Sequence, residues 1–240
     1  MSATVIIPTT GSPELYYAIE SVMNQTYDTK CYIVCDGPEF VYTVKNFVRQ
    51  FEKHPNYKKL MICNLPLNVG KGGFYGHRVY AAFSHLIDTD YVLYLDQDNW
   101  MDVNHVKSCV DTIEKNNLDW SYSLRAITDK NGVSITMDNC ESLGKWPVFS
   151  GDYNHIDTNC YCLRTSIAVK IASVWHGGWG QDRVWYNTLS HHFPKYDTTG
   201  KYTLNYRIGG NEGSVKKEFF EYGNEIMKQK YNGEFPWQKI

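Results

Sequence analysis

The 240-residue sequence predicts an α/β protein, one domain over residues 1–240, whose mixed and mostly parallel central sheet is flanked by helices. Two observations carry this expectation. Strand-like and helix-like segments alternate through about the first 60 residues, the opening of a doubly wound sheet. Later, Tyr91-Val-Leu-Tyr-Leu95 is a short apolar run of β-formers with no polar break, as expected of a strand covered on both faces. That run ends abruptly in Asp96-Gln-Asp98. Ligands bind beyond the carboxyl ends of strands in open α/β sheets, so two acids there are placed to hold a divalent cation on an anionic substrate. A bare Asp-x-Asp is equally a solvated turn and helix cap; its place directly after the strongest strand favours function.

Val5-Ile6-Ile7 is the first strand, stopped by Pro8. Ser12 as N-cap and Pro13 at the first helical position open a helix in which Leu15, Ala18, Ile19, Val22 and Met23 recur at helical spacing. Cys31 to Cys35 is a second strand ending in Asp36-Gly37; Val41, Val44, Phe47, Val48 and Phe51 mark a second helix, and Leu60 to Cys63 a third strand. Asn68-Val-Gly-Lys-Gly-Gly-Phe-Tyr-Gly-His-Arg78 is a glycine-rich loop feeding a helix from Phe74 to Leu86. Such a loop lets backbone approach a phosphate, with Lys71 or Arg78 adding charge. It matches neither the dinucleotide fingerprint nor a Walker loop, and a plain turn needing positive φ explains it as well. Val103, Val106, Val110 and Ile113 predict a further helix, and Asp119 to Leu124 a strand. Beyond residue 125 the pattern fades into turns, Asp129 to Gly132 and Gly144 to Pro147 among them. A strand is expected over Ile156–Leu163, a short helix over Ser166–Ser173, a helix from Asp182 to His191, a strand over Tyr202–Ile208 and a polar helix over Val215–Tyr231. Without repeats or linkers, the chain reads as a nucleotide-binding front half, about 1–100, and an acceptor-binding rear half, about 101–240.

Hydrophobic residues make up 42% and charged residues 21%, ordinary values for a globular chain, and the formal net charge of −2 argues against nucleic acid or an anionic membrane as partner. The opening Met-Ser-Ala-Thr leads straight into a strand without a signal-peptide pattern, and no stretch approaches the roughly eighteen apolar residues of a membrane span, so a cytoplasmic protein is expected. Seven cysteines, an odd number, show neither Cys-x-x-Cys nor zinc spacing and read as small buried hydrophobes in a reducing compartment. Nineteen tyrosines and seven tryptophans suit a polar cleft that stacks on rings or sugar faces, beside those that fill the core.

Val-Ile-Ile-Pro-Thr (5–9), Ala-Ile-Glu-Ser-Val-Met-Asn-Gln-Thr-Tyr (18–27), Ile-Val-Cys-Asp-Gly (33–37), Asn-Val-Gly (68–70), Leu-Asp-Gln-Asp (95–98) and Gly-Gln-Asp-Arg (180–183) occur in the order found in family 2 glycosyltransferases. Over residues 4–190 the chain resembles that family. The resemblance implies the Rossmann-like GT-A fold, a nucleotide-sugar donor, Mn²⁺ or Mg²⁺, and transfer with inversion at the anomeric carbon to a glycan or other hydroxyl acceptor. Three departures stand out: Asp-Gly-Pro38 where the family often has Asp-Gly-Ser, Gln181 where Glu usually precedes the catalytic acid, and no Gln-x-x-Arg-Trp motif. The last, with no membrane helix, implies one sugar added per encounter rather than processive synthesis.

By this resemblance Asp98 holds the metal, and Asp96 binds ribose, sugar or metal-bound water or joins the metal set. Asp36 accepts a hydrogen bond from the base. Uracil is implied, although guanine also offers donors and the physics does not choose; a turn-capping role is the bland alternative. Pro8, Thr9, Asn68, Lys71 and Gln97 are further donor-site candidates, and the resemblance implies a uridine-linked sugar. Asp182 is the general base that takes the acceptor proton, ionised at neutral pH if its pKa is the ordinary carboxylate value near ~3.9. Asp157, in Asp157-Thr-Asn159, and Trp179 are acceptor-side candidates; Trp175 is either a sugar-stacking ring or a core residue. His155, His176, His191 and His192 are possible extra metal ligands, and Arg207 near Gly209-Gly210 a possible diphosphate contact. The competing readings are a sugar-1-phosphate nucleotidyltransferase, whose Arg and Lys after the first strand are missing from Pro8-Thr-Thr-Gly-Ser-Pro13, and a non-catalytic sugar-binding module, which needs no three acids.

Overall fold

A computed structural model describes residues 1–209 and 215–238. Four parallel strands form one side of the sheet: β1 (Ala3–Thr9) lies between β2 (Thr29–Cys35) and β4 (Tyr91–Tyr94), and β3 (Leu60–Asn64) pairs outside β2. All seven residues of β1 are buried. Ile6 and Ile7 point to opposite faces and both are fully covered, which is why the segment reads as an unbroken apolar run rather than an alternating one. Each such side chain contributes about 1.5–3 kcal/mol on burial.

Past β4 the direction changes. β8 (Tyr161–Arg164) pairs antiparallel with β4 and with β6 (Trp120–Thr128); β9 (Tyr196–Arg207) runs parallel to β6, and the two-residue β5 (Trp100–Met101) closes that edge against β9. The order is β3-β2-β1-β4-β8-β6-β9-β5, with β7 (Ser134–Met137) hairpinned onto β6. Helices α1 (Leu15–Met23), α2 (Val41–Arg49), α3 (His77–Phe83), α4 (His105–Asn116), α5 (Thr165–Ile171), α6 (Gln181–His192) and α7 (Lys217–Lys230) flank the sheet. No described helix is long and apolar enough to cross a membrane, and all seven cysteines are free thiols.

Several elements depart from expectation for identifiable reasons. α1 starts at Leu15, and Ser12 is not its N-cap: the Ser12 hydroxyl donates to the Glu14 carboxylate while its N–H donates to Gln97 Oε1 at 3.2 Å. α3 starts at His77 rather than Phe74, because the Gly70 carbonyl accepts the N–H groups of both Phe74 and Tyr75, at 3.0 and 3.1 Å, and holds them in a turn. The strand expected over Ile156–Leu163 contracts to β8, since the Asp157 carboxylate accepts the Asn159 N–H at 2.9 Å and winds 158–160 into a helical turn. β9 begins well before Tyr202, with Tyr196 stacked on Trp120 at 4.0 Å between ring centroids. β7, Ser-Ile-Thr-Met, alternates polar and apolar residues, but the run is only four residues long, lies among turns and is at most half-buried, so it does not stand out as a strand.

Candidate active site

The chain crossover at β4 leaves the carboxyl ends of β1, β2 and β4 beside the loop that enters β8, and the space between them is a cleft of about 710 Å³. Pro8 and Thr9 reach it from the end of β1, Asp36 from just past β2, Asn68 and Lys71 from the glycine loop, and Asp96, Gln97 and Asp98 from beyond β4. Asp157 lines it from the segment before β8, Trp179 from the loop that enters α6, and Asp182 from the first turn of α6. Asp36, Asp98 and Asp182, far apart in the chain, thus face one cavity.

What each side chain does locally is more specific. Asp36 is buried, and its two oxygens accept the N–H groups of Val69 at 2.7 Å and Gly70 at 2.8 Å. It therefore shapes the glycine loop, with lone pairs left over for a ligand. Gly70 is needed for that approach, because a Cβ there would lie 2.2 Å from the Tyr75 carbonyl oxygen and 2.8 Å from Asp36 Oδ2. Asn68 Oδ1 accepts the Lys71 N–H at 2.9 Å, and the Lys71 side chain is exposed at the rim. Arg78 is turned elsewhere: it donates to the Val69 carbonyl and lies 3.3 Å over the Phe74 ring.

Gln97 ties β4 to the loop after β1. Its Oε1 accepts the Thr9 hydroxyl at 2.6 Å and the N–H groups of Thr10 and Ser12 at 3.1 and 3.2 Å. Asp96 is enclosed by neutral donors, Tyr80 Oη–H at 2.8 Å and Asn159 Nδ2 at 2.9 Å, while its own N–H donates to Asn159 Oδ1. Burial raises its pKa, the Asp157 charge adds to that, and the two donors oppose it. Asp98 is pushed up to about 6, first by burial and then by the Asp96 charge, with Arg207 partly opposing. The Arg207 side chain donates from Nε to the Asp98 carbonyl at 2.9 Å and from Nη1 to the Lys130 carbonyl at 2.7 Å, its guanidinium lying over the Trp100 ring. Gly210, named with it, lies outside the described residues.

The acceptor-side residues separate into frame and rim. Asp157 is held by Arg125 Nη1 at 2.6 Å and by Asn159 at 2.7 and 2.9 Å. Trp175 is fully buried, stacked on Trp185 at 4.2 Å, and belongs to the core under the cleft; Trp179 is 80% exposed beside it. Asp182 Oδ1 accepts the Arg183 N–H at 2.8 Å. Gln181, where the family has Glu, folds back to donate to the Val174 carbonyl, a bond that an ionised carboxylate cannot make. Of the four rear-half histidines only His155 lines the cleft; His176 packs beside Phe74, and His191 and His192 lie exposed at the end of α6.

Arg125, Glu141, His77 and Tyr206 also line the cleft, and the sequence had no periodic signal for them. Arg125 is 2% exposed and pairs with Asp138, Glu141 and Asp157, three acids whose spacing along the chain follows no local rule.

Among the described residues, no three His, Cys, Asp or Glu side chains are grouped as a metal cage. The cleft instead offers Asp98, a half-buried hard-oxygen donor beside a second acid. A cation shared with substrate phosphates needs only one or two protein carboxylates, so the residues fit such an ion and not a protein-only site.

The mannosyltransferase PcManGT from Pyrobaculum calidifontis, solved with GDP-Man and Mn²⁺, matches with TM-score 0.57 and 11% identity over 95% of this chain and 61% of that one. TarS 1–349 from S. aureus, solved with UDP-GlcNAc, matches with TM-score 0.66 and 14% identity over 95% of this chain and 66% of that one. Longer TarS matches with TM-score 0.62 and 13% identity over 98% and 44%. The chain therefore spans less than two thirds of these solved chains, and the likeness is one of fold, the GT-A arrangement expected above. No curated protein sequence matches it. The family model described as "Glycosyl transferase family 2" matches residues 4–168. A chain matched over that span belongs to glycosyl transferase family 2.

Proposed function

We propose that residues 1–240 act as one metal-dependent catalytic domain that moves a single sugar from a UDP-sugar to a hydroxyl acceptor, with inversion. The observation that carries this is the convergence of Asp36, Asp98 and Asp182 on one cleft. On this reading Asp36 and the glycine loop it shapes take the base, with Pro8, Thr9, Asn68 and Lys71 around the nucleotide. Asp98, with Asp96 behind it, holds Mn²⁺ or Mg²⁺, which when bound neutralises the charge that develops on the departing diphosphate. Trp179 and the rim near Asp157 receive the acceptor, and Asp182 takes the proton from its hydroxyl as oxygen attacks the anomeric carbon opposite the diphosphate. Removing such an electrostatic stabiliser typically costs about 10²–10³ in turnover. UDP-GlcNAc beside TarS and GDP-Man with Mn²⁺ beside the Pyrobaculum enzyme support the donor class and the cation; the two differ in base, so uridine rests on Asp36 and its resemblance. Seven free cysteines support the cytoplasmic reading.

The test is a thermal-shift screen of UDP- and GDP-sugars followed by calorimetry with Mn²⁺ and with chelator. A UDP-sugar is expected to bind in a Mn²⁺-dependent way, and Asp98→Ala to lose the dependence. Equal affinity in chelator rejects the metal assignment, and no binding by any nucleotide sugar rejects the function.

A further inference from the structure

We propose that His155 is a positioning residue for Asp182, holding the carboxylate in the orientation from which it takes the acceptor proton. This rests on the reading of Asp182 as the base. His155 Nε2 lies 3.7 Å from Asp182 Oδ2, with the imidazole 7% exposed and the carboxylate 31% exposed. The other ring nitrogen, Nδ1, is buried and has no hydrogen-bond partner among the described residues. That asymmetry selects the tautomer. A proton on Nδ1 leaves a buried donor unpaired and turns a lone pair toward a carboxylate. A proton on Nε2 puts the N–H toward Asp182 and leaves only a bare acceptor buried.

The two partners stand on different segments of the chain, which are tied together through Tyr186 of α6. The His155 carbonyl accepts the Gly144 N–H at 2.9 Å, and the Gly144 carbonyl in turn accepts the Tyr186 hydroxyl at 2.9 Å. Tyr122 lies so close to Gly144 that an added Cβ would meet its ring at 2.3 Å, and its hydroxyl donates to the Leu143 carbonyl at 3.0 Å. The histidine is thereby fastened to the core. Asp182 stands in the first turn of α6, where its Oδ1 is engaged by the Arg183 N–H and Oδ2 is the oxygen turned toward His155. A fixed donor beside a half-exposed carboxylate restricts its rotation. In the transfer step the acceptor O–H bond breaks and its proton goes to Asp182. The oxygen pair forms the bond to the anomeric carbon, and the bond from that carbon to the diphosphate oxygen breaks with its electrons on the diphosphate. The His155 proton stays where it is.

Nitrogen-15 spectra of the full chain at neutral pH test the contact without any substrate. His155 is expected as the Nε2–H tautomer, with ring signals that move in Asp182→Asn. An Nδ1–H tautomer, or ring signals indifferent to Asp182→Asn, overturns the proposal. The functional arm measures nucleoside diphosphate release from the nucleotide sugar found in the screen above, water serving as acceptor. His155→Leu is expected to lower kcat about 10- to 100-fold, the range seen for residues that orient a reacting group from outside, with donor KM unchanged. His155→Gln, which retains an N–H on the same side, recovers most of the loss. A His155→Leu kcat within twofold of the parent, or a Gln variant no better than Leu, rejects the role. Asp182→Asn separates the two layers: parental turnover there rejects the base assignment itself, whereas a dead Asp182→Asn beside a fully active His155→Leu rejects only the positioning.

Discussion

Arg125→Met removes one buried charge and exposes how the cleft wall is held. The guanidinium sits over the Tyr206 ring at 4.4 Å and pairs with Asp138 at 2.8 Å, with Asp157 at 2.6 Å and with Glu141. Methionine keeps the unbranched stem and most of its packing, so the loss reports the charge. Stranding buried carboxylates costs about 3–5 kcal/mol for a broken buried pair. Three acids do not triple that figure. Asp138 keeps the N–H groups of Cys140, Glu141 and Ser142 at 2.9, 2.9 and 3.0 Å, and Glu141 is 17% exposed and reaches water. The stranded atom is Asp157 Oδ2, whose partner was Arg125. The sign with pH is the sharper test. In the parent, burial raises the Asp138 pKa but Arg125 and the amides outweigh it and hold it low, so its stabilisation is present above the usual carboxylate range and lost as pH falls through the folded value. Without Arg125 burial prevails, the Asp138 carboxyl titrates higher, and its contribution to stability is lost as pH rises. Urea unfolding followed by tryptophan fluorescence should show a deficit of about 3–5 kcal/mol at pH 8 that shrinks at pH 5, by about 1.4 kcal/mol for each unit of displaced pKa. A deficit below about 1 kcal/mol, or one equal at both pH values, refutes the reasoning.

Gly70→Ala should leave the far-ultraviolet spectrum intact and weaken nucleotide binding at least about tenfold, because the added carbon evicts the Asp36 contacts; Gly72→Ala, at φ +82 but facing open space, should be milder, and equal affinities in the two variants would contradict this account. His105 is fully buried, bonded through Nδ1 to Thr203 Oγ1 at 2.9 Å, and burial holds its pKa down to about 4. The unfolded chain binds that proton near ~6.5, so stability is complete above that pH and falls by about 3 kcal/mol as pH drops through the window to the folded value. His105→Gln should flatten this part of the urea-derived pH profile, and an unchanged slope would exclude His105 as its source.

The sequence by itself determined the parallel half of the sheet and the placing of its acids. A strand buried on both faces must be apolar at every position, so Val5–Ile7 and Tyr91–Leu95 announce themselves, and an acid immediately after such a run can only emerge at the sheet rim. Burial of this kind depends on neighbours within the run, which is why it is legible. What only the tertiary structure decided is which polar atoms meet. Gln97 reads as one more ligand contact until its amide oxygen is found on Thr9, Thr10 and Ser12; Trp175 and Trp179 are alike on paper, yet one is stacked in the core and the other stands in solvent. Arg125 and its three acids, and His155 beside Asp182, leave no periodic trace. A hydrogen bond or ion pair forms only within a few tenths of an ångström and a narrow angle, and such positions are set by strands and loops packed from distant parts of the chain.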